Sequence, residues 1–120
     1  MSSIDRPLSG DVLIVSLLDD RSSTAPVAGR SARTLLKEGP LRVTVVTIAP
    51  GGEIPEHRAD GPITVQPLTG QLRFTAGGHT HELVPGQLLA LASGLPHAVA
   101  STGGATFLLT VCKPIAAGKG

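Results

Sequence analysis

The chain has 120 residues, 41% of them hydrophobic, and its 10 basic and 9 acidic residues give a formal net charge of +1. This length and composition predict one globular domain and argue against a disordered chain. The balanced charge and the lack of Trp and Tyr give no support for nucleic-acid binding, and no apolar run approaches the roughly 20 residues of a membrane span.

The N-terminus and the cysteine content bear on location. Residues 1–6 hold no basic patch followed by an apolar stretch, so the start does not resemble a secretory signal peptide. The single cysteine, Cys112, has no partner for an internal disulfide. Both features predict a cytoplasmic protein. Cys112 ends an apolar run and is predicted to be a buried strand residue.

The N-terminal part of the chain contains apolar runs of different quality. The β-branched content of residues 11–18 favours a strand, although so short a run does not distinguish strand from helix by periodicity. Residues 19–31 are polar and rich in breakers and are predicted to form a loop. The remaining strands predicted in this part are residues 31–37, followed by a turn at 38–40, and residues 41–48, where β-branched residues dominate.

From residue 50 onward, short apolar segments alternate with turns that contain glycine or proline. Gly77-Gly78 is a two-residue hairpin signal. The strands predicted here are residues 63–68, 71–75, 79–84, 88–91, 97–100 and 105–111. This spacing of roughly 8–12 residues predicts an antiparallel sandwich or barrel. A single domain is expected over residues 1–120, with flexible ends at 1–10 and 113–120.

Two segments resemble the two motifs of the cupin superfamily of small jelly-roll barrels. The first runs from Pro50-Gly-Gly-Glu-Ile-Pro-Glu-His57 to Gly70, and the second runs from Pro85-Gly86 to Gly94-Leu-Pro-His97. The resemblance covers residues 41–112 and implies an all-β, antiparallel jelly-roll (cupin) barrel. Members of this family often hold a divalent metal with three histidines and a glutamate from these motifs.

Only half of that ligand set has a counterpart in this chain. His57 and His97 match two of the histidines, whereas Ala59 stands at the remaining histidine position and Ile63 at the glutamate position. Structural and catalytic metals are usually held by three or four protein ligands, so two imidazoles bind weakly on their own. The resemblance therefore implies at most a weak site for Zn, Ni, Fe or Mn at His57 and His97.

A ligand pocket is predicted around His57, His97, Gln66 and Arg42. Arg42 would meet an anionic ligand if its side chain enters the barrel, and otherwise lies on the solvated face. Strand alternation turns Gln66 away from the interior if Ile63 faces inward, unless a proline at position 67 distorts the strand.

A second pair of histidines follows the Gly-Gly turn. His79 and His81 form a literal His-x-His sequence, but their place after a hairpin turn predicts exposed residues without a metal role. Asp60 belongs to an Asp-Gly-Pro segment that is predicted to set a turn.

Three functions remain open. The chain is a cupin that binds a small molecule, a metal-dependent enzyme of the oxygenase or isomerase type that uses His57 and His97, or a structural or interaction protein. The missing ligands favour small-molecule binding. Family members commonly dimerise, so the resemblance also implies a homodimer, in which the apolar residues 12–18 are expected to take part.

Overall fold

A computed structural model describes residues 12–17 and 29–114. This part of the chain forms strands joined by turns, and it contains no helix that is long and apolar enough to cross a membrane. The strands are β1 (Arg30–Glu38), β2 (Leu41–Ile48), β3 (Gly52–His57), β4 (Ile63–Gly70), β5 (Leu72–Ala76), β6 (His79–Leu83), β7 (Leu89–Leu91), β8 (His97–Ser101) and β9 (Ala105–Cys112).

The strands form two antiparallel sheets that pack face to face. One sheet has the order β1-β2-β9-β4-β7 and the other has the order β3-β8-β5-β6. Strands that are distant in sequence are therefore neighbours, as where β9 lies between β2 and β4. The predicted all-β jelly-roll fold is confirmed.

A single core fills the space between the sheets. Alternation along each strand sends every second side chain inward, so Ile63 and Val65 of β4 are buried while Thr64 and Gln66 are only half-buried. Phe74 of β5 and Phe107 of β9 enter the same core from opposite sheets. The buried cluster consists of Val46, Ile48, Ile63, Val65, Leu72, Phe74, Ala76, Leu83, Leu91, Val99, Ala105 and Phe107.

Strand β4 accommodates Pro67 because its neighbour β7 ends before it reaches that residue. In the described register β7 pairs only with residues Ile63 to Val65, so the missing N–H of Pro67 removes no bond to that strand. The pairing of β4 with β9 shifts between Pro67 and Thr69. This irregularity follows Gln66, so the predicted alternation holds through that residue.

The predicted strands match β1, β2 and β4 to β9, with ends that differ by at most two residues. The strand predicted for 11–18 is wrong over residues 12–17, where no strand forms. Propensity alone does not make a strand, because a strand also needs a ladder partner. Residues 1–11, 18–28 and 115–120 lie outside the described residues. These ranges contain the predicted flexible N-terminus, most of the predicted loop and most of the predicted flexible C-terminus.

Two further features differ from the sequence predictions. Strand β3 was not predicted, because it contains Pro55 and most of its side chains are exposed, so it shows no hydrophobic alternation. Its partner β8 supplies the ladder that makes it a strand. Cys112 lies in a strand as predicted but is exposed, because it is the last residue of β9.

Candidate functional site

The structure brings His57 and His97 together. His57 ends β3, His97 begins β8, and the register of these neighbouring strands pairs the two residues directly. Their ring centroids are 4.2 Å apart and the ring planes meet at 63°. Two histidines that are 40 positions apart in sequence thus form one contact pair.

Both imidazoles have the same tautomer in their neutral form. The Nδ1 atom of His57 lies 2.9 Å from the carbonyl oxygen of Pro55, and the Nδ1 atom of His97 lies 2.9 Å from that of Leu95. Because a carbonyl oxygen only accepts, each Nδ1 carries the proton and each Nε2 keeps its lone pair. Metal-ligating histidines commonly have this arrangement, in which the backbone holds one nitrogen and the other is free to bind.

His97 is held in an apolar environment. It is 4% exposed, and its ring stacks on Phe74 with a centroid distance of 5.5 Å and an interplanar angle of 10°. Burial lowers the pKa of His97 from its ordinary value of 6.5, the hydrogen bond to Leu95 opposes this shift, and His57 lowers the pKa further by charge repulsion. His97 is therefore neutral at pH 7 and available as a ligand or proton acceptor.

The lowered pKa predicts how stability changes with pH. Because folded His97 binds a proton less readily than the unfolded chain does, the free energy of unfolding is fully retained above 6.5 and falls as the pH is lowered through and below that value. Urea unfolding between about pH 7.5 and 5 should show this decline. His97→Gln should flatten it, and the matched change at the exposed His81 should not. If the free energy of unfolding changes equally with pH in the wild type and in His97→Gln, its decline is not caused by His97.

The residues present do not fit the complete ligand set of the resembled family. Ala59 is half-buried and packs against the core, and Ile63 is 4% exposed within it, opposite Leu91 and Val111. Neither aliphatic side chain donates to a metal. Within residues 12–17 and 29–114 there is no group of three or more His, Cys, Asp or Glu side chains placed to hold a metal. Two imidazoles remain as donors.

A cavity of about 600 Å³ opens beside Ala59. It lies between the inner face of the five-stranded sheet and the segment that follows β3. Neither His57 nor His97 is among its described lining residues, although Ala59 follows His57 by two positions. The lining consists of Thr34, Lys37, Arg42, Thr44, Arg58, Ala59, Asp60, Val111 and Lys113.

Arg42 reaches this cavity because of its register. It pairs with Lys37 of β1 and with Val111 of β9, and Val111 packs against the core, so Arg42 lies on the inward face of β2. Its Nη1 atom donates to the carbonyl oxygens of Gly39 at 2.5 Å and Leu41 at 3.1 Å. Of the two orientations that the sequence left open, the structure has the inward one.

Gln66 does not reach the cavity. It lies on the outward face of β4, where it pairs with Leu108, and it is not a lining residue. The structure therefore separates Gln66 from the predicted pocket, as strand alternation required. Sequence reasoning did not single out Lys37 and Lys113. Lys37 could have been found by pairing residues across the turn at 38–40, whereas no sequence signal marks Lys113.

The hairpin histidines lie near the site without belonging to it. His79 and His81 pair with Ala76 and Phe74, so they project from the same sheet face as the core, yet both are exposed because β6 is the edge strand. Ala76 also pairs with His97, which places His79 two strands away. At about 4.8 Å per strand, the two backbones are roughly 10 Å apart.

The double variant His79→Ala/His81→Ala should leave metal binding unchanged, because neither residue approaches the pair formed by His57 and His97. A calorimetric titration with nickel should give the same affinity for the variant as for the wild type, within about twofold. His97→Ala should abolish the weak nickel binding. Loss of most binding in the hairpin variant would show that the hairpin holds the metal.

Comparison with known proteins supports the fold and the motifs. The family model for the cupin domain matches residues 44–112. No protein with a curated function matches the chain. A conserved Streptococcus pyogenes protein of unknown function is 29% identical, with a TM-score of 0.72 over 95% of this chain and 96% of its own.

More distant structures share the fold alone. A cupin superfamily protein from Desulfitobacterium hafniense is 18% identical, with a TM-score of 0.72 over 86% of this chain and 100% of its own. A mutant of salicylate 1,2-dioxygenase from Pseudoaminobacter salicylatoxidans is 19% identical, with a TM-score of 0.68 over 78% of this chain and 29% of its own. At these identities the likeness carries no information about the reaction.

Proposed function

The chain belongs to the cupin family, and from that premise we propose that it binds a small organic ligand in the cavity beside Ala59, with at most a weak divalent metal site at His57 and His97. Fold alone does not decide the function in this family, so the proposal rests on the site. It places the ligand against the inner face of the five-stranded sheet, in a cavity whose described lining does not include His57 or His97.

The observation that carries the proposal is the side chain at position 59. The resemblance implies a metal-ligating histidine there, and this chain has an alanine that lines a cavity of about 600 Å³. A methyl group is smaller than an imidazole and cannot bind a metal, so alanine at this lining position provides apolar surface in place of a metal ligand. This volume lies within the range of roughly 300–1,000 Å³ that is typical of small-molecule pockets.

A second candidate is a metal-dependent enzyme of the oxygenase or isomerase type. It is favoured by one observation, the two imidazoles that are bonded only at Nδ1 in the described hydrogen bonds and whose ring centroids are 4.2 Å apart. A bound divalent metal would supply Lewis-acid polarisation of a ligand oxygen. Two protein donors, however, leave most of the coordination shell to water or to the ligand, so resident metal is expected to be weakly held.

Nuclear magnetic resonance of the ¹⁵N-labelled chain tests the proposal. The chain would be titrated with a panel of small organic compounds that includes erythritol, succinamide and succinate. Some of these compounds should bind and shift the amide signals of Thr44, Ala59 and Val111. Ala59→Trp, which fills the cavity, should abolish those shifts. The same change at Ala90, exposed on β7, should preserve them. Binders that shift other regions, or that still bind Ala59→Trp, would contradict the proposed cavity.

We also propose that the chain forms a homodimer through the apolar residues 12–17. Val12 and Ile14 are 72% and 88% exposed, which is unfavourable for large apolar side chains in water. Light scattering at micromolar concentration should give about twice the 12.2 kDa chain mass, and Ile14→Asp should shift the population to monomer. A wild-type monomer under these conditions would refute the dimer.

A further inference from the structure

We propose that the cavity is selective for organic anions, whose carboxylate is held between Arg42 and Arg58. The proposal rests on the proposed function and adds the chemical class of the ligand. It follows from three features of the cavity: its charge, the orientation of its two guanidinium groups, and the mixture of hydroxyl and apolar groups on its walls.

The charge of the cavity is strongly positive. Its described lining contains four basic side chains and one carboxylate, that of Asp60. The basic residues are Lys37, Arg42, Arg58 and Lys113. The structure describes no ion pair for Arg42 or Arg58, whereas Arg73 on the other sheet pairs with Glu82 at 3.1 Å. Cationic groups that share a concave site repel one another, and an anion relieves that repulsion.

Backbone carbonyl groups orient both guanidinium groups through one nitrogen each. Nη1 of Arg42 donates to Gly39 and Leu41, and Nη1 of Arg58 donates to Gly94 at 3.3 Å. A guanidinium carries five N–H donors, and the described hydrogen bonds of Arg42 and Arg58 use only Nη1. The Nε and Nη2 atoms of both residues therefore have no partner in the described bonds. Those two atoms form the edge that binds a carboxylate in bidentate fashion. Because the groups are already tethered, less entropy is lost on binding.

The remaining walls indicate that the ligand has a carbon skeleton. Thr34 and Thr44 pair across β1 and β2 and supply two hydroxyl groups that donate or accept. Ala59 and Val111 supply apolar contact. A short hydroxylated or aliphatic carboxylate complements this combination better than a small inorganic ion. A phosphate group offers the same oxyanion chemistry to arginine, so the probes must distinguish the two.

Calorimetry on the full chain at low ionic strength tests the proposal with succinate, inorganic phosphate and the neutral isostere succinamide. Succinate should bind at least about tenfold more tightly than succinamide. Added salt should lower the affinity for succinate and leave the affinity for succinamide unchanged. Tighter binding of inorganic phosphate than of succinate would overturn the carboxylate as the bound group and assign a phosphate to the two arginines instead. Equal affinity for succinate and succinamide in the cavity would overturn the proposal and leave the proposed function standing. Binding of none of the probes would overturn the anion proposal, and failure of the wider panel would overturn the proposed function.

Arginine variants locate the effect. Arg42→Met and Arg58→Met should each lower the affinity for succinate about tenfold or more. The affinity of Arg42→Lys should lie between those of Arg42→Met and the wild type, because lysine keeps the positive charge but cannot bind a carboxylate in bidentate fashion. Arg30→Met is the matched control, since Arg30 also donates Nη1 to a backbone carbonyl, that of Glu53 at 3.3 Å, but does not line the cavity. If thermal melts show that Arg42→Met is unfolded, Arg58→Met decides. Unchanged affinity in a folded Arg58→Met would overturn the role of that residue.

Discussion

The double variant Ala59→His/Ile63→Glu is expected to bind zinc or nickel more tightly than the wild type by orders of magnitude. It adds an imidazole and a carboxylate at the two positions where the family resemblance implies ligands, beside two imidazoles whose Nε2 atoms are free. Four donors complete the set that a tightly held metal requires. Calorimetric titration of both proteins measures the gain.

The same variant should be less stable than the wild type when no metal is present. Ile63 is 4% exposed in the core, so a glutamate there is buried without a partner and should cost about 3–5 kcal/mol. Metal should reverse much of the loss, because binding at 100 times Kd stabilises a protein by about 2.7 kcal/mol. Thermal melts with and without zinc should therefore diverge for the variant and coincide for the wild type.

Two controls make this result specific. Ala59→His/Ile63→Gln has nearly the same shape but no carboxylate, so it should gain less affinity and lose less stability. His97→Ala in the double-variant background should remove most of the gain. If zinc changes neither the melt nor the titration of the double variant, the correspondence of His57 and His97 with the family's metal site is wrong.

Gly61→Ala is expected to destabilise the fold by about 3 kcal/mol or more and to distort the cavity. A Cβ at Gly61 would lie 1.9 Å from the carbonyl oxygen of Cys112, which is backbone at the end of β9 and cannot rotate away. The segment that carries Arg58, Ala59 and Asp60 would have to move off that strand. Urea unfolding measures the loss, and amide shifts at Thr44 and Val111 should report the cavity.

Gly103→Ala is the matched control for this substitution. Neither Gly61 nor Gly103 has a positive φ, but a Cβ at Gly103 meets nothing within 4 Å, so Gly103→Ala should be neutral or slightly stabilising. Equal stability of the two variants would show that residues 58–61 do not pack against β9 in the way described.

The fold was predictable because its information is local. Residues 41–48 are rich in β-branched side chains and coincide with β2, and the Gly77-Gly78 pair forms the predicted hairpin with φ values of 58° and 81°. Strand β3 was not predictable in this way, since it has little apolar alternation and depends on its pairing with β8. The segment at 12–17 has the reverse property: its composition favours a strand and no ladder partner is present among the described residues.

The candidate site was predictable only where a motif carried it. His57 and His97 were identified from the two motifs, and their contact follows from the pairing of β3 with β8. The cavity depends on side chains from β1, β2, β9 and the segment after β3, and only the assembled sheet brings these together. Lys113, for example, lies 71 positions from Arg42 in sequence, so no local pattern connects them.

Elemental analysis asks whether a donor set of two imidazoles holds a resident metal. The chain would be purified without chelators and without a metal-binding affinity tag, then measured by mass spectrometry for Zn, Ni, Fe and Mn. We expect metal far below one equivalent per chain, and we expect simple dialysis to remove it. Stoichiometric metal that survives dialysis in the wild type and is lost in His97→Ala would contradict this expectation and favour the metal-dependent enzyme.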